Sequence, residues 1–484
     1  MKLVTHAPVV LDEAEAAKLW EAALRLWAQV PVRAGGCPEF REALAAFGCD
    51  VSGGRIAFPP AVREKVLARI DEARRQAGPW RPAMVGGDSL QYAASGQALY
   101  ICDLESNRLR GATTEDLADW SRLCDVFYPR LHRAHPTFIP QDVPAGSCDV
   151  HAFATIILNS SRPWTVSVYT AAMLPYFVEL QSLCDGGTER VRRAPAFAAK
   201  CWYNSPFMIT DENIQIGMKA RKLLGRPFAI GTMPVAGIAT PATLAGAIVH
   251  ITAEVLGCNA ITLALDDRLA GYCAGPLTFD MKTCIHTQTG PDVQLLRNAC
   301  AQMGAYIFGG EYRSVGGPST AAKTPGAQSM MEKAVDTTRA ICGGVRSFGS
   351  LGTLAFADVG SAVQLMLDLE LMSHFQRLLQ GIAVDDERIA EDLICRVAPT
   401  GAQFLATEHT ARFNREELWV PELMDRRVPM AWATDPTDMV TNARDKARRL
   451  LGEAPNRCPL SQEQRAEVAR IVAAADARVA ATTR

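Results

Sequence analysis

The sequence predicts an α/β protein organised as a (β/α)8 barrel of the TIM type, with an N-terminal region of helices and a hairpin and with C-terminal helices. Two observations carry this prediction. After residue 112, short apolar runs of strand type alternate with helical patterns, as in repeated β-α units. Most runs recur at intervals of roughly 30 to 45 residues, the spacing of such barrels. An open doubly wound sheet is the alternative, although no G-x-G-x-x-G follows a strand.

Composition excludes several classes of protein. The chain has 484 residues, of which 48% are hydrophobic and 21% charged, so it is globular and can bury at least one large core. A net charge of -2 favours a small-molecule or protein partner over nucleic acid or a membrane surface. The sequence has neither a signal peptide nor a run of about 18 apolar residues, so we expect a cytoplasmic protein.

Cysteine spacing argues against both disulfides and metal. None of the 14 cysteines forms a C-x-x-C pair, and we therefore expect reduced thiols and no metal site. Cys102, Cys124, Cys258 and Cys395 have apolar neighbours in the sequence, which is typical of small core residues.

Local signals divide the chain into three parts. We predict an N-terminal region (1–112), a barrel (113–410) and a C-terminal extension that packs on the barrel (411–484). The N-terminal elements are a helix over 12–29, a second over 39–47 with Gly48 as its C-cap, a hairpin over 51–58 and a third helix after Pro60.

Eight apolar runs are candidate strands of the barrel. Thr113, with Asp116 three residues later, is predicted to begin the helix that precedes them. The candidate strands are 131–135, 163–169, 196–203, 227–233, 260–266, 304–310, 344–349 and 403–407.

The stretch 231–254, GTMPVAGIATPATLAGAIVHITAE, combines turn residues with a helix start. We predict that a strand breaks at Pro234 and Gly237 and that a helix begins after Thr240, with Pro241 in its first position. Because barrel active sites lie where strands end, the loop in this stretch is predicted to line a pocket.

A series of short motifs runs in order along nearly the whole chain. They are RIAFPPAVREKVL at 55–67, PQDVP at 140–144, NSSRP at 159–163, Gly231, Pro234, Gly237, Pro241, Gly246 and Glu254, FDMKT at 279–283, GGPSTAAK at 316–323, Glu332, LDLEL at 367–371, and His409, Thr410, Pro421 and Arg426. With these motifs the chain resembles the trimethylamine methyltransferase family in its form without pyrrolysine. It departs from the family's usual pattern at 321–322, after Lys323, and at 354–355.

The resemblance implies a barrel enzyme that moves a methyl group from a quaternary or tertiary methylamine, such as a betaine-like compound, to the cobalt of a corrinoid. The chain has no D-x-H-x-x-G signature, so the corrinoid would be carried by a separate partner protein and no cofactor would be tightly bound. One alternative is a non-catalytic barrel that binds a small methylated cation. A structural assembly subunit is another, but no sequence feature favours it. We also expect a homo-oligomer.

Aromatic side chains near the predicted strand ends are candidates for holding a cationic head group, because each cation–π contact contributes roughly 0.5 to 2 kcal/mol. The candidates are Tyr169, Trp202, Tyr203, Tyr312 and Phe348, each of which alternatively packs in the core or at its rim. Asp266 is a further acceptor for a cation, although a helix cap or a loop salt bridge is the commoner role of such a residue.

Glu311, Tyr312 and Arg313 follow the run predicted as the sixth strand and form the candidate catalytic group together with His409. Arg313 is predicted either to bind a substrate carboxylate bidentately or to pair with Glu311. His409 is either a residue that orients substrate near the barrel mouth or a structural hydrogen-bonding residue.

Overall fold

Long helices surround short, mostly parallel strands in this mixed α/β protein, for which a computed structural model describes residues 3–94, 96–134, 138–161 and 165–482. The helices are α1 Glu13–Gln29, α2 Pro38–Phe47, α3 Pro60–Ala77, α4 Thr114–Val126, α5 Cys148–Asn159, α6 Leu174–Asp185, α7 Thr188–Arg193, α8 Asp211–Leu224, α9 Leu244–Asp266, α10 Pro291–Phe308, α11 Ala327–Cys342, α12 Ala362–Gln380, α13 Asp386–Ile389, α14 Glu391–Val397, α15 Glu408–Glu417, α16 Pro429–Thr434, α17 Met439–Glu453 and α18 Gln462–Thr482.

The strands are short, most of them two to four residues long. They are β1 Thr5–His6, β2 Val32–Ala34, β3 Arg55–Ile56, β4 Arg81–Pro82, β5 Met84–Val85, β6 Gln91–Ala94, β7 Tyr100–Cys102, β8 Leu109–Gly111, β9 Leu131–Ala134, β10 Val166–Ser167, β11 Phe197–Ala198, β12 Cys201–Tyr203, β13 Met208–Ile209, β14 Ile230–Thr232, β15 Val235–Ala236, β16 Leu277–Asp280, β17 Ile285–Thr287, β18 Glu311–Tyr312, β19 Ser347–Leu351, β20 Thr353–Leu354 and β21 Val359–Gly360.

Parallel strands pair in separate arcs. One arc has the order β19–β6–β9, and the pairs β10–β11, β12–β14 and β18–β4 form others. A parallel bridge between Thr232 and Ala274 extends the arc of β12 and β14. Within the described ranges, the strand ladders do not join into a closed ring.

The N-terminal helices form where the sequence predicts them. Asp12 caps α1, and Gly48 closes α2 with a φ of 110°, which glycine adopts without steric cost. α3 begins at Pro60, and Thr113 caps α4 in a capping box with Asp116. These predictions are confirmed because capping chemistry is local and depends little on the rest of the fold.

Three predicted strands are wrong. Residues 260–266 belong to α9, 304–308 belong to α10, and 403–407 contains a 3-10 turn over Phe404–Ala406. α9 is buried on nearly all sides, so its apolar sequence has no periodicity that distinguishes it from a strand. The predicted strand at 163–169 and the NSSRP motif lie partly outside the described residues.

α9 is the central helix of one half of the core. It starts at Leu244, not after Thr240, because residues 235–240 close a tight turn in which Ala239 N donates to Val235 O. By length and composition α9 would suffice to cross a membrane, but 89% of its most apolar window is buried. It packs against α1 and α3, and it contacts β14.

All 14 cysteines are free thiols. Cys102, Cys124 and Cys258 are buried in the core as predicted. The prediction for Cys395 is wrong: the residue is exposed, because the C-terminal segment around α14 packs little of its apolar surface.

A buried ion pair holds the end of β19. Lys333 of α11 and Asp368 of α12 are both fully buried, with 2.6 Å between Nζ and Oδ2. Asp368 Oδ2 also accepts a hydrogen bond from Gly352 N at 2.7 Å. Burial lowers the pKa of Lys333 and raises the pKa of Asp368, and their mutual attraction opposes both shifts. The pair therefore fixes the backbone that leaves β19 and depends on both partners.

We expect Lys333→Met to lower the free energy of unfolding by about 3 to 5 kcal/mol, because it leaves a carboxylate buried without its cation. Denaturant titration measures the loss. The double variant Lys333→Met/Asp368→Leu should recover part of it. Lys446→Met, which removes a partly exposed ion pair with Glu422, is the matched control and should cost at most about 1 kcal/mol. Equal losses from both lysine variants would contradict the account.

Candidate active site

Loops at the carboxyl ends of the parallel strands contact one another in succession. Barrel and open-sheet α/β proteins place their sites at this end because the loops converge there. Observed contacts join Ser205 to Thr232, His286 to Phe356, and Gln97 to Ser167. Gly237 and Gly96 lie so close to Met281 and Thr353 that a Cβ on either glycine would touch that neighbour. Loops from several strands therefore meet above the strand ends.

Strands β12 and β14 leave one face uncovered. Cys201, Tyr203 and Ile230 are buried on the face that packs against helices. Trp202, between the first two of these, is 40% exposed, and Met233, directly after β14, is 52% exposed. Because successive side chains of a strand point to opposite faces, the second face is open to solvent. Trp202 is thus an aromatic ring that a solute can reach.

Lys200 lies beside this ring on the same face. Its Nζ is 4.4 Å from the centroid of the Trp202 ring. Gly231 of β14 is paired with Trp202, and a Cβ there would stand 2.4 Å from Lys200 Nζ. The lysine can therefore occupy this position only because residue 231 has no side chain. Among the described residues, no carboxylate forms an ion pair with Lys200.

Glu254 of α9 anchors the loop that follows β12. The carboxylate is fully buried and accepts hydrogen bonds from Ser205 Oγ at 2.7 Å and Phe207 N at 2.9 Å. Thr232 Oγ1 donates to it as well, and His250 Nε2 lies 3.1 Å from Oε1. Burial alone raises the pKa of Glu254, but these hydrogen bonds outweigh burial and hold the pKa below its usual value. The ionised carboxylate fixes the loop beside Trp202.

A strained turn directly follows β20. Ala355, Phe356 and Ala357 have φ values of 48°, 57° and 80°, in the left-handed region that costs a residue with a side chain about 1 to 2 kcal/mol. Ala355 N donates to Ala322 O and Phe356 N to Thr320 O, both at 2.8 Å. The loops at 320–322 and 355–357 are therefore one structural unit. Strain held by its surroundings in this way is frequent at functional sites.

His286 and Gln288 complete this unit from the hairpin of β16 and β17. The His286 ring is 5.7 Å from the ring of Phe356, and Gln288 Nε2 donates to Phe356 O at 3.1 Å. His286 is half-buried. In the parts of the chain that the structure describes, no group of three or more His, Cys, Asp or Glu residues is placed to hold a metal ion.

Asp149 of α5 holds the backbone after β10, where Tyr169 lies. Its Oδ2 accepts from Tyr169 N and its Oδ1 from Val150 N, both at 2.9 Å. Burial raises the pKa of Asp149 to about 6, against the opposing effect of these hydrogen bonds. Burial also raises the pKa of the Tyr169 phenol, with Cys148 and Asp149 close by. Tyr169 therefore packs at the start of α5.

Of the predicted catalytic residues 311–313, Glu311 and Tyr312 form β18 itself and Arg313 directly follows it. Because 304–308 is helical, Glu311 begins β18 instead of ending it, which corrects the premise of the prediction. Glu311 pairs with Arg81 at 2.9 Å, and buried Tyr312 packs on Trp80. Arg313 is exposed and lies near Arg346. The pKa of Arg346 is lowered mainly by burial and, to a smaller extent, by the positive charge of Arg313.

The other predicted site residues are also dispersed. Asp266 ends α9 and binds Arg221 Nε and Phe228 N, both at 2.6 Å, at the amino end of β14. Tyr203 and Phe348 are buried in the core. His409 lies on α15 in the C-terminal helices, with Nε2 3.1 Å from Glu387 O. Asp266 does share a cavity with Lys200, which directly precedes β12. Of the predicted residues, Trp202 alone lies on the open face described above, and the structure does not bring the catalytic group together with it.

Sequence analysis does not single out Lys200 or His286. A lone lysine or histidine carries no spacing signal of its own. One signal exists for Lys200: in the run KCWY at 200–203 the alternation of a strand places residues 200 and 202 on the same face.

The profile of the trimethylamine methyltransferase (MTTB) family matches residues 3–479. The chain belongs to this family. The glycine betaine methyltransferase of Desulfitobacterium hafniense (strain Y51) is 24% identical over 453 residues, which cover 91% of this chain and 92% of that relative. The trimethylamine methyltransferase MttB of Methanosarcina thermophila is 25% identical over 432 residues, 86% of this chain and 87% of the relative. The protein is accordingly an enzyme of the methyltransferase class, and the resemblance inferred from the motifs is confirmed.

Several motif residues of the trimethylamine methyltransferase family act as anchors in this chain. Glu254 and Asp368 hold the loops described above, and Glu332 accepts from Thr320 Oγ1 and Ala321 N. Buried Glu370 accepts from the backbone N–H groups of 422 and 423, both at 2.9 Å, which fixes the turn after Pro421. In this chain these motif residues thus hold loop backbone in position.

The raised pKa of Asp149 predicts a pH-dependent stability. Because the folded pKa of about 6 lies above the reference value of 3.8, this carboxyl stabilises the fold below about pH 4, and the contribution is lost as pH rises through 6. Between those limits, the free energy of unfolding of wild type relative to Asp149→Asn should fall by about 3 kcal/mol. Urea titrations across this range test it. Exposed Asp435→Asn is the control, and parallel curves for wild type and Asp149→Asn would refute the prediction.

Proposed function

We propose that this enzyme transfers a methyl group from a carboxylate-bearing quaternary or tertiary methylamine, a betaine-like compound, to the cobalt of a corrinoid carried by a separate protein. Membership of the trimethylamine methyltransferase family supports methyl transfer from a methylated amine. The two relatives described above are named for glycine betaine and for trimethylamine. The ammonium of Lys200 over the ring of Trp202 is the observation that favours the carboxylate-bearing class.

The Lys200–Trp202 pair distinguishes a zwitterion from a simple cation. A cationic head group over Trp202 gains roughly 0.5 to 2 kcal/mol from the π face, but it meets the positive charge of Lys200 on the same ring. A substrate carboxylate would draw the lysine off the ring into a charge-assisted hydrogen bond and free the π face for the substrate's own ammonium. A methylamine without a carboxylate has no such compensation.

Methyl transfer from a quaternary ammonium requires mainly that the protein position the substrate. When the C–N bond of a quaternary ammonium breaks, its electron pair stays on nitrogen, and a tertiary amine leaves without a proton transfer. A reduced corrinoid would supply the electron pair for the new cobalt–carbon bond. Trp202 and Lys200 hold the two ends of the substrate, and the strained turn at Phe356, with His286, forms the facing wall. Glu311, Tyr312, Arg313 and His409 have no role in this proposal.

We further propose that the arcs of parallel strands belong to one (β/α)8 barrel, with β6 as its first strand. The succession of loop contacts at the strand ends supports this arrangement. The open face of β12 and β14 fits the approach of a corrinoid, and exposed Met233, Ile238 and Met281 in the adjoining loops offer its carrier protein an apolar contact. The 14 free cysteines support a reducing compartment, and we propose the cytoplasm.

The proposal is tested by mixing the protein with a corrinoid protein in its Co(I) state and a panel of methylated amines with and without a carboxylate, and by following the cobalt spectrum. Carboxylate-bearing amines should be the better methyl donors. Lys200→Met should raise the KM for them by roughly 10- to 100-fold, because a charge-assisted hydrogen bond contributes about 1.5 to 3 kcal/mol. It should leave donors without a carboxylate unaffected or slightly improved.

Two further variants make the result specific. Trp202→Leu should weaken both classes of donor, by about 2- to 30-fold, because it removes the π face. Lys222→Met, which neutralises an exposed lysine at the end of α8, should change neither. If no methylated amine alters the cobalt spectrum, methyl transfer to a corrinoid is refuted. If Lys200→Met weakens both donor classes equally, the carboxylate role of Lys200 is refuted while methyl transfer stands.

A further inference from the structure

Residues 382–418, which we term the arm, leave the body of the protein after α12. The arm contains α13, α14, the turn at Phe404–Ala406 and α15. All of its residues are described, and Phe413 alone among them is buried. Even Phe413 is covered by polar groups, the guanidinium groups of Arg388 and Arg412 at 4.9 and 5.0 Å from its ring and His409. The arm therefore has no apolar core of its own.

Large apolar side chains are exposed along the arm. Six of them are about half exposed or more: Ile382, Val384, Ile389, Ile394, Leu405 and Leu418. All six lie within this one segment of the chain. Exposed apolar residues concentrated in one region, with polar residues around them, are typical of a protein contact surface. Short helices of this kind also depend on packing for their stability.

Ion pairs hold the arm in a defined shape. Arg388 of α13 binds Glu417 Oε1 at 2.9 Å and Glu416 Oε2 at 3.2 Å, which ties α13 to the end of α15. Arg377 of α12 donates to Glu417 O at 2.7 Å and so joins the arm to the body. These exposed pairs contribute little energy each. They do keep the apolar residues in fixed relative positions.

The arm lies at the amino ends of the strands, away from the loops of the candidate active site. α12 begins beside Gly352, where Ser361 N donates to Gly352 O after the carboxyl end of β19. At its other end Gln376 binds Asp88 O, just before β6 begins. A corrinoid protein that reaches the open face of β12 and β14 would therefore not cover the arm.

We propose that the arm is the contact between two copies of this chain, in which the Phe404–Leu405 turn of each copy enters a groove on the other. The groove lies between α13–α14 and α15, has a volume of about 730 Å³ and is lined by apolar Ile389, Leu393 and Phe413. Leu405, 78% exposed, projects from the turn that leads into α15. Leu405 is thus a knob that can enter such a groove. A two-fold interface requires a knob and a groove on the same surface, since each copy supplies both.

Charges on the arm are also self-complementary. Glu391, Asp392 and Glu408 line the groove, and among the described residues they form no ion pair. Arg396 and Arg415 of the same arm likewise have no carboxylate partner in the described ranges. A surface that carries unpaired charges of both signs matches a second copy of itself better than a partner of one predominant charge.

Sedimentation of the full chain tests the proposal, and it needs neither substrate nor corrinoid. From about 1 to 50 µM, wild type should sediment with at least twice the monomer mass of 52.4 kDa, since association depends on concentration. Leu405→Glu on the knob and Ile389→Glu in the groove should each raise the dissociation constant at least 100-fold. Val9→Glu, at a residue 65% exposed outside the arm, should leave it unchanged.

Circular dichroism of each variant should match wild type, which separates loss of association from loss of folding. A wild type that stays monomeric at every concentration overturns the proposal. So does an assembly that survives both Leu405→Glu and Ile389→Glu, because another surface would then hold the copies together. An equal effect of Val9→Glu would also overturn it.

Discussion

The arrangement of the loops at the strand ends depends on one constraint: carboxylates buried away from water must receive hydrogen bonds. An ionised carboxyl group in the interior needs several partners, and in this protein they include backbone and hydroxyl groups of the loops at the carboxyl ends of the strands, together with the Lys333 ammonium for Asp368. Glu254 and Asp368 therefore do two things at once. They satisfy their own charge, and they fix the direction in which the chain leaves β12 and β19.

The residues that hold the loops in place are different from the residues that line the candidate site. Buried or part-buried carboxylates of the motifs quoted above, such as Glu254, Glu332 and Glu370, hold backbone. The stretches 321–322 and 354–355 hydrogen-bond to each other beside the strained turn. A change in one of these stretches is thus transmitted to the other, while the anchors keep the strand ends in place. Specificity can vary within such a frame without loss of the fold.

Sequence reasoning succeeded where the signal is local and failed where it depends on burial. Thr113 with Asp116 fixes a helix start within four residues, and the family follows from motifs in order. α9 conceals its helical period because it is apolar on nearly all faces, and the last turn of α10 is an apolar run that resembles a strand. The second of these errors made Glu311 the end of a strand that it in fact begins. The partnership of Lys200 with Gly231 joins neighbouring strands, so no single segment contains it.

Lys200 also acts on Trp202 when no substrate is present. A cation tethered two residues before the ring in the same chain segment is always at high effective concentration, so it competes for the ring with any dissolved cation. Ammonium ions and protonated amines would have to displace the lysine from the ring, and they carry no carboxylate with which the displaced lysine could pair. The lysine consequently limits occupation of the ring by other dissolved cations, and the face of β12 and β14 can stay open without binding positive charge indiscriminately.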